Sequence, residues 1–219
     1  MNVCILGASG LVGGHCLRLV LEQPEIQNVL TWTRRLLPIE HSKLKQIIVD
    51  FSSLQTYANH LKDVNTIFCC LGTTMKQAGS KATFYQVDYT YPVQIAEMAK
   101  TAGVQHVSLV SSLGADPRSS IYYSQVKGQT EQAVQALGLP SVHIFRPSIL
   151  LGKRESRRLG EEMVGVMAPA LSLILQGPLR KYRPIAAKTV AQAMVCAANR
   201  SQLGCNIYES DSIEKLVKL

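Results

Sequence analysis

Gly7-Ala8-Ser9-Gly10-Leu11-Val12-Gly13 follows a short apolar run, Val3 to Leu6, and opens a stretch of helical periodicity, Leu11 to Leu21. That placement, strand then glycines then helix, decides the fold. Gly7 permits the tight strand-to-helix turn, Gly10 lets backbone approach a ligand, and Gly13 lets helix and strand pack closely. The new helix offers free N–H groups and the positive end of its dipole to an anion. The whole loop, including Ala8, Ser9, Leu11 and Val12, is therefore expected to cradle the pyrophosphate of a dinucleotide.

Outward from the loop, apolar runs alternate with helical ones. Val29 to Thr33, Gln46 to Val49, Thr66 to Leu71, Val107 to Val110 and Val142 to Phe145 read as further strands. Leu54 to Leu61, Tyr91 to Thr101 and Gln125 to Leu137 read as helices. The strands are apolar throughout, as when both faces of a sheet are covered. Alternation of this kind implies parallel β-α-β units with right-handed crossovers. The expected fold is α/β, a Rossmann-type doubly wound parallel sheet. Past Arg146-Pro147 the pattern loosens. Gly152 to Gly160 looks like a charged loop, Ala187 to Asn199 like a helix, and Asn206 to Glu209 like a late strand before a short helix. The expected organisation is one domain over 1–219, with a cofactor core at 1–150 and a small substrate-side cap at 151–219.

With 219 residues, 47% hydrophobic and 17% charged, the chain can bury one sizeable core. No uncharged apolar run is long enough to span a membrane; the longest, Met163 to Leu175, contains Pro169. The N-terminus has no basic start or cleavage site, so a cytosolic location is expected. The six cysteines show no metal-ligand spacing, and no metal is expected. The formal net charge of +8 comes in small clusters: Arg34-Arg35, Lys43 and Lys45, Lys153-Arg154, Arg157-Arg158 and Arg180-Lys181-Arg183. No nucleic-acid-binding motif accompanies them, which leaves a solvated basic surface with phosphate contacts.

Three further stretches border the loop. The second strand ends in Arg34-Arg35 where NAD-binding folds carry an acid, and arginine suits a 2′-phosphate through charge-assisted bonds. The expected cofactor is NADP(H). Asp50-Phe51, closing the third strand, is placed to flank the adenine, although Asp50 could equally cap the next helix. Leu71-Gly72-Thr73, after the fourth strand, passes under the cofactor.

Tyr123 and Lys127 stand four apart on a helix and share a face. A nearby ammonium stabilises a tyrosinate, which suits Tyr123 to acid–base chemistry, while Lys127 holds the nicotinamide ribose. Tyr122 lacks a lysine at the same offset. Ser111-Ser112 ends the fifth strand, where ligands bind in such sheets; Ser112 is preferred as the group that polarises a carbonyl. Pro147, ending the sixth strand, also borders the cofactor.

These residues, with Cys69-Cys70-Leu71-Gly72-Thr73-Thr74, Gly114-Ala115-Asp116 and Phe145-Arg146-Pro147, resemble the atypical short-chain dehydrogenase/reductases. The nearest resemblance is to the branch of the Tat-interacting protein and its bacterial relatives, and Arg154-Glu155-Ser156-Arg157 looks like that branch too. The resemblance implies NADPH in the glycine-loop cleft and Tyr123 and Lys127 as the catalytic pair. It covers residues 2 to about 165. Two departures stand out: Asp88 lies where extended members often carry Asn, and the short tail leaves little room for a nucleotide-sugar domain. The function expected is an NADPH-dependent reductase of a small carbonyl substrate; the alternative is a non-catalytic NADP-binding regulator acting through a protein partner.

Overall fold

The computed structural model describes residues 1–152, 175–200 and 202–218. Six parallel strands come first: β1 (Asn2–Leu6), β2 (Asn28–Thr33), β3 (Leu44–Ile48), β4 (Thr66–Cys69), β5 (His106–Val110) and β6 (Ser141–Arg146). A two-stranded parallel ribbon, β7 (Leu150–Leu151) and β8 (Ile185–Ala186), precedes the seventh, β9 (Gly204–Glu209). The order across the sheet is β3-β2-β1-β4-β5-β6-β9. The order turns at β1 and β4, and the carboxyl ends of those strands form the crevice where such sheets bind ligands.

The inner strands form because their side chains are buried on both faces, whereas the edge strands β3 and β9 stay partly exposed. β1, β4 and β6 carry Val3, Ile5, Ile67, Phe68, Ile144 and Phe145 with almost no exposed surface. Two apolar layers result. One joins α1 (Leu11–Glu22) with Phe68, Phe145 and two late helices; the other packs Trp32, Ile67 and Ile144 against the helices of the opposite face.

The stretch after β4 is more helical than its sequence suggests. Short helices α2 (Met75–Ala78) and α3 (Lys81–Tyr85) lead through a π turn (Gln86–Thr90) into α4 (Tyr91–Thr101). Thr74 and Ser80 cap α2 and α3 by accepting the Gln77 and Thr83 N–H groups. The expected helix Leu54 to Leu61 is a 3-10 helix over Phe51–Leu61, kinked at Ser53. Next, α5 (Tyr122–Ala136) starts three residues earlier than its periodicity indicates, so Tyr123 lies inside it.

The described C-terminal elements pack on the sheet and on α1. α6 (Ala187–Ala198) packs along α1, and α7 (Ser210–Lys218) packs on α6. β9 adds a seventh strand beside β6, with Ile144 opposite Ile207. The expected charged loop Gly152 to Gly160, its basic residues Lys153 to Arg158 and most of the run Met163 to Leu175 lie outside the described residues. Among those described, no helix is long and apolar enough to cross a membrane.

Candidate active site

The glycine loop is built as its spacing requires. Gly7 has φ +77°, and a side chain there would meet the Cys70 carbonyl oxygen at 2.5 Å. A Cβ on Gly13 would lie 2.3 Å from the Gly7 carbonyl oxygen. The Gly10 N–H donates to that same carbonyl at 2.8 Å, closing the turn. Gly10 is the N-cap of α1 and offers no side chain to its first N–H groups. Those donors are open to an anion. Ser9 and Gly10 are exposed, Leu11 is half-buried, and Ala8 and Val12 point into the core. This cradle fits a pyrophosphate.

Arg34 and Arg35 are exposed at the end of β2, where the Thr33 hydroxyl donates to the Arg35 carbonyl at 2.5 Å. Asp50 caps the 3-10 helix, accepting the Ser52 N–H at 2.9 Å and the Ser52 hydroxyl at 2.7 Å. Those bonds hold its carboxyl below the usual carboxylate range. Phe51 packs on Tyr91 with ring centroids 5.2 Å apart. Burial first, then the Asp50 charge, push the Tyr91 phenol up, while Arg34 pulls it down. Arg34, Asp50, Phe51 and Tyr91 therefore gather at one corner of the crevice. Tyr91, which opens α4, was not singled out by its sequence.

Leu71 and Thr73 are half-buried beside the glycine loop, and the Cys70 N–H bonds the Leu6 carbonyl at 2.9 Å. The Thr73 N–H donates to Asp88 Oδ2 at 2.8 Å.

On α5, Tyr123 and Lys127 lie one turn apart, as expected. Phe84 is wedged beneath both Tyr122 and Tyr123, at 5.9 and 5.6 Å. The Tyr122 hydroxyl donates to the Lys81 carbonyl at 3.0 Å and is engaged there. Lys127 Nζ lies 2.8 Å from Asp88 Oδ1 and 3.5 Å from the Val110 carbonyl. Burial pulls the ammonium down, but Asp88 and then Tyr123 outweigh it, and the group is pushed up to about 12.

The two serines have different surroundings. Ser111 is buried and its hydroxyl donates to Glu131 on α5. Glu131 is in turn held by Arg146 Nη2 at 2.5 Å and Nε at 3.0 Å. Ser112 is half-buried, and backbone bonds pin it from both sides: Ser111 N–H to the Phe145 carbonyl at 2.7 Å, Leu113 N–H to the Pro147 carbonyl at 2.9 Å. Pro147 itself is buried. Sequence reasoning missed Glu131 and Thr130, whose partners are distant in the chain. It also missed the role of Gly128: a Cβ there would sit 2.2 Å from the Pro117 nitrogen, so the glycine lets α5 approach the loop that carries Asp116.

Residues 7–200 match the family described as NAD(P)H-binding. The chain belongs to that family. Within it, the chain is an atypical short-chain dehydrogenase/reductase related to the branch of protein HTATIP2. Protein HTATIP2 of Rattus norvegicus is 41% identical over 163 residues, 73% of this chain and 67% of its own. Protein FMP52-1, mitochondrial, of Scheffersomyces stipitis is 37% identical over 228 residues, 100% of this chain and 99% of its own. Among solved structures, MoeE5 in complex with UDP-glucose and NAD superposes with a TM-score of 0.72 at 18% identity. The match covers 100% of this chain and 80% of that one. At that identity the likeness is one of fold. The family supports a nicotinamide dinucleotide as the cofactor. The cytosolic location expected from the N-terminus is overturned, because the fungal relatives are named mitochondrial proteins.

Proposed function

We propose that this NAD(P)H-binding protein is an NADPH-dependent reductase of a small carbonyl compound. The observation that carries this reading is Tyr123 one helical turn from a buried, charged Lys127 whose Nζ reaches the Val110 carbonyl at the carboxyl end of β5. A reduced nicotinamide dinucleotide held through its pyrophosphate by the glycine loop would supply the hydride. Tyr123 gives its phenolic proton to the carbonyl oxygen. The Lys127 ammonium, close enough for the two groups to feel each other, stabilises the tyrosinate left behind. The Ser112 hydroxyl donates to the same carbonyl oxygen and stabilises the developing negative charge. Ser111 has no part in this, since its hydroxyl is committed to Glu131.

Arg34 and Arg35 support NADPH over NADH. Both are exposed after β2, with Arg34 near Tyr91, and the Asp50 carboxylate is turned into its own helix cap rather than left free for ribose hydroxyls.

The test is calorimetric titration of the protein with NADPH and with NADH, followed by a screen of aldehydes, ketones and quinones for NADPH oxidation. Tighter binding of NADPH and turnover of one carbonyl class are expected. Arg34→Ala should weaken NADPH about tenfold and leave NADH unchanged, the loss of one charge-assisted contact. Binding of neither cofactor overturns the reading. Binding without turnover replaces the reductase with a cofactor-bound regulator.

A further inference from the structure

Asp88 sits in the π turn that interrupts the helical run from Lys81 to Thr101. A π turn is rare inside a helical run and is frequently found at functional sites. Here its backbone is secured from outside. The Thr130 hydroxyl on α5 donates to the Asp88 carbonyl at 2.7 Å. The Asp88 side chain is wholly buried, and its two oxygens serve different elements. Oδ1 is 2.8 Å from Lys127 Nζ on α5, while Oδ2 accepts the Thr73 N–H of the loop after β4 at 2.8 Å. Gly72 lets the backbone lie close against this pair: a Cβ there would lie 3.3 Å from Oδ1 and 3.6 Å from Nζ. One carboxylate thus joins the loop beneath the cofactor cleft to the lysine of the Tyr123–Lys127 face.

We propose that Asp88 is the positioning residue of this site, holding the Lys127 ammonium against the Leu71–Thr74 loop and balancing its charge next to Tyr123. The effect on turnover rests on the reductase reading; the charge balance does not.

The groups that face Lys127 come from four elements. They are Asp88 from the π turn, Tyr123 from its own helix, Cys69 from β4 and the Val110 carbonyl from β5. Burial pushes the Cys69 thiol up to about 12, so it carries no charge at neutral pH. Asp88 is the anionic member of the set. The Lys127 side chain is only 7% exposed, so water cannot take over if the carboxylate is neutralised. An ammonium in that position, without its counter-ion, sheds its proton at lower pH. In Asp88→Asn the amide oxygen still accepts the Thr73 N–H, so loop geometry is retained and charge balance is lost.

The test uses the full chain labelled with 13Cε-lysine, with the Lys127 signal assigned by its loss in Lys127→Met. In the unsubstituted protein Lys127 should stay protonated through about pH 10; in Asp88→Asn its titration should move down by about one pH unit or more. With the carbonyl substrate from the screen, the alkaline limb of the kcat profile should move the same way, and kcat should fall more than NADPH affinity. A Lys127 titration that is the same in Asp88→Asn overturns the proposal, as does loss of the Lys127 proton well below about pH 10 in the unsubstituted protein. If Asp88→Asn does not fold, Asp88→Asn/Lys127→Met, which removes both charges, should fold; failure of that rescue overturns the proposal too. Absence of carbonyl turnover in the unsubstituted protein defeats the reductase reading alone, because the lysine titration still decides the charge balance.

Discussion

Glu131 and Arg146 form a two-pronged ion pair between α5 and the end of β6, with the Glu131 side chain 2% exposed and the Arg146 side chain 22% exposed. Burial alone would lower the Arg146 pKa, but the bond to Glu131 outweighs it and the group is raised. The same carboxylate accepts the Ser111 hydroxyl. This one acid therefore ties the ends of β5 and β6 to the helix that carries Tyr123 and Lys127. Glu131→Gln should leave Arg146 without its counter-charge and cost about 3 kcal/mol, the usual result of removing one partner from a buried pair. Ser111→Ala should cost about 1 kcal/mol. Urea unfolding of both variants checks the ranking.

A side chain at position 13 has nowhere to go, since its nearest neighbours would be backbone atoms of Gly7 and Ala8. Gly13→Ala should destabilise the protein by about 2–3 kcal/mol through forced displacement of the loop. It should also weaken NADPH more than tenfold, because the displaced atoms are the cradle itself. By contrast, Gly138→Ala meets no atoms within 4 Å but sits at φ +66°, so it should cost about 1 kcal/mol and leave cofactor binding alone. Calorimetry and thermal melting on both variants separate the two effects.

Acid should destabilise the fold through a histidine far along the strands from the site. His106 is 5% exposed, bonded to Ser141 and Ser108 at 3.0 and 2.8 Å, and packed on His143 at 4.6 Å. Burial and then the His143 charge push its pKa down to about 3. Unfolded, it titrates near 6.5. The unfolded state thus binds the proton first as pH falls. The stability that neutral His106 secures is full above about pH 6.5 and is lost between there and about pH 3. At pH 5 the loss should be roughly 2 kcal/mol from this residue. The urea midpoint should drop between pH 7.5 and 5, and the drop should shrink in His106→Gln.

Tyr123→Phe should reduce carbonyl turnover by about 10²–10⁴-fold while leaving NADPH affinity within about threefold. Tyr122→Phe loses only the bond to the Lys81 carbonyl and should keep its turnover. Ser112→Ala should lower kcat, whereas Ser111→Ala should act on stability. Steady-state kinetics with the carbonyl found in the screen distinguishes the members of each neighbouring pair.

The inner parallel strands were legible because both faces of each are buried, which writes them as unbroken apolar runs such as Cys4 to Leu6 or Ile67 to Cys69. The glycine loop was legible because its steric demand is local: Gly7 and Gly13 touch each other across six residues. The helical run from Lys81 to Thr90 was not. Its Thr, Tyr and Val residues carry little helix propensity, and Phe84 and Asp88 draw it into shape by packing on α5. Nor was β9's place beside β6 readable, since a late apolar stretch says nothing about which edge it joins.

By itself the sequence determined the α/β alternation, the glycine turn between β1 and α1 and the Tyr123–Lys127 spacing, because each follows from steric and periodic rules acting within a few residues. Tertiary structure decided what those groups are bonded to. Asp88 meets Lys127 across 39 positions and Arg146 meets Glu131 across 15, only because a helix and the carboxyl ends of the strands are packed together. Burial then makes each pairing obligatory, since a charge removed from water requires a partner that only the assembled fold supplies.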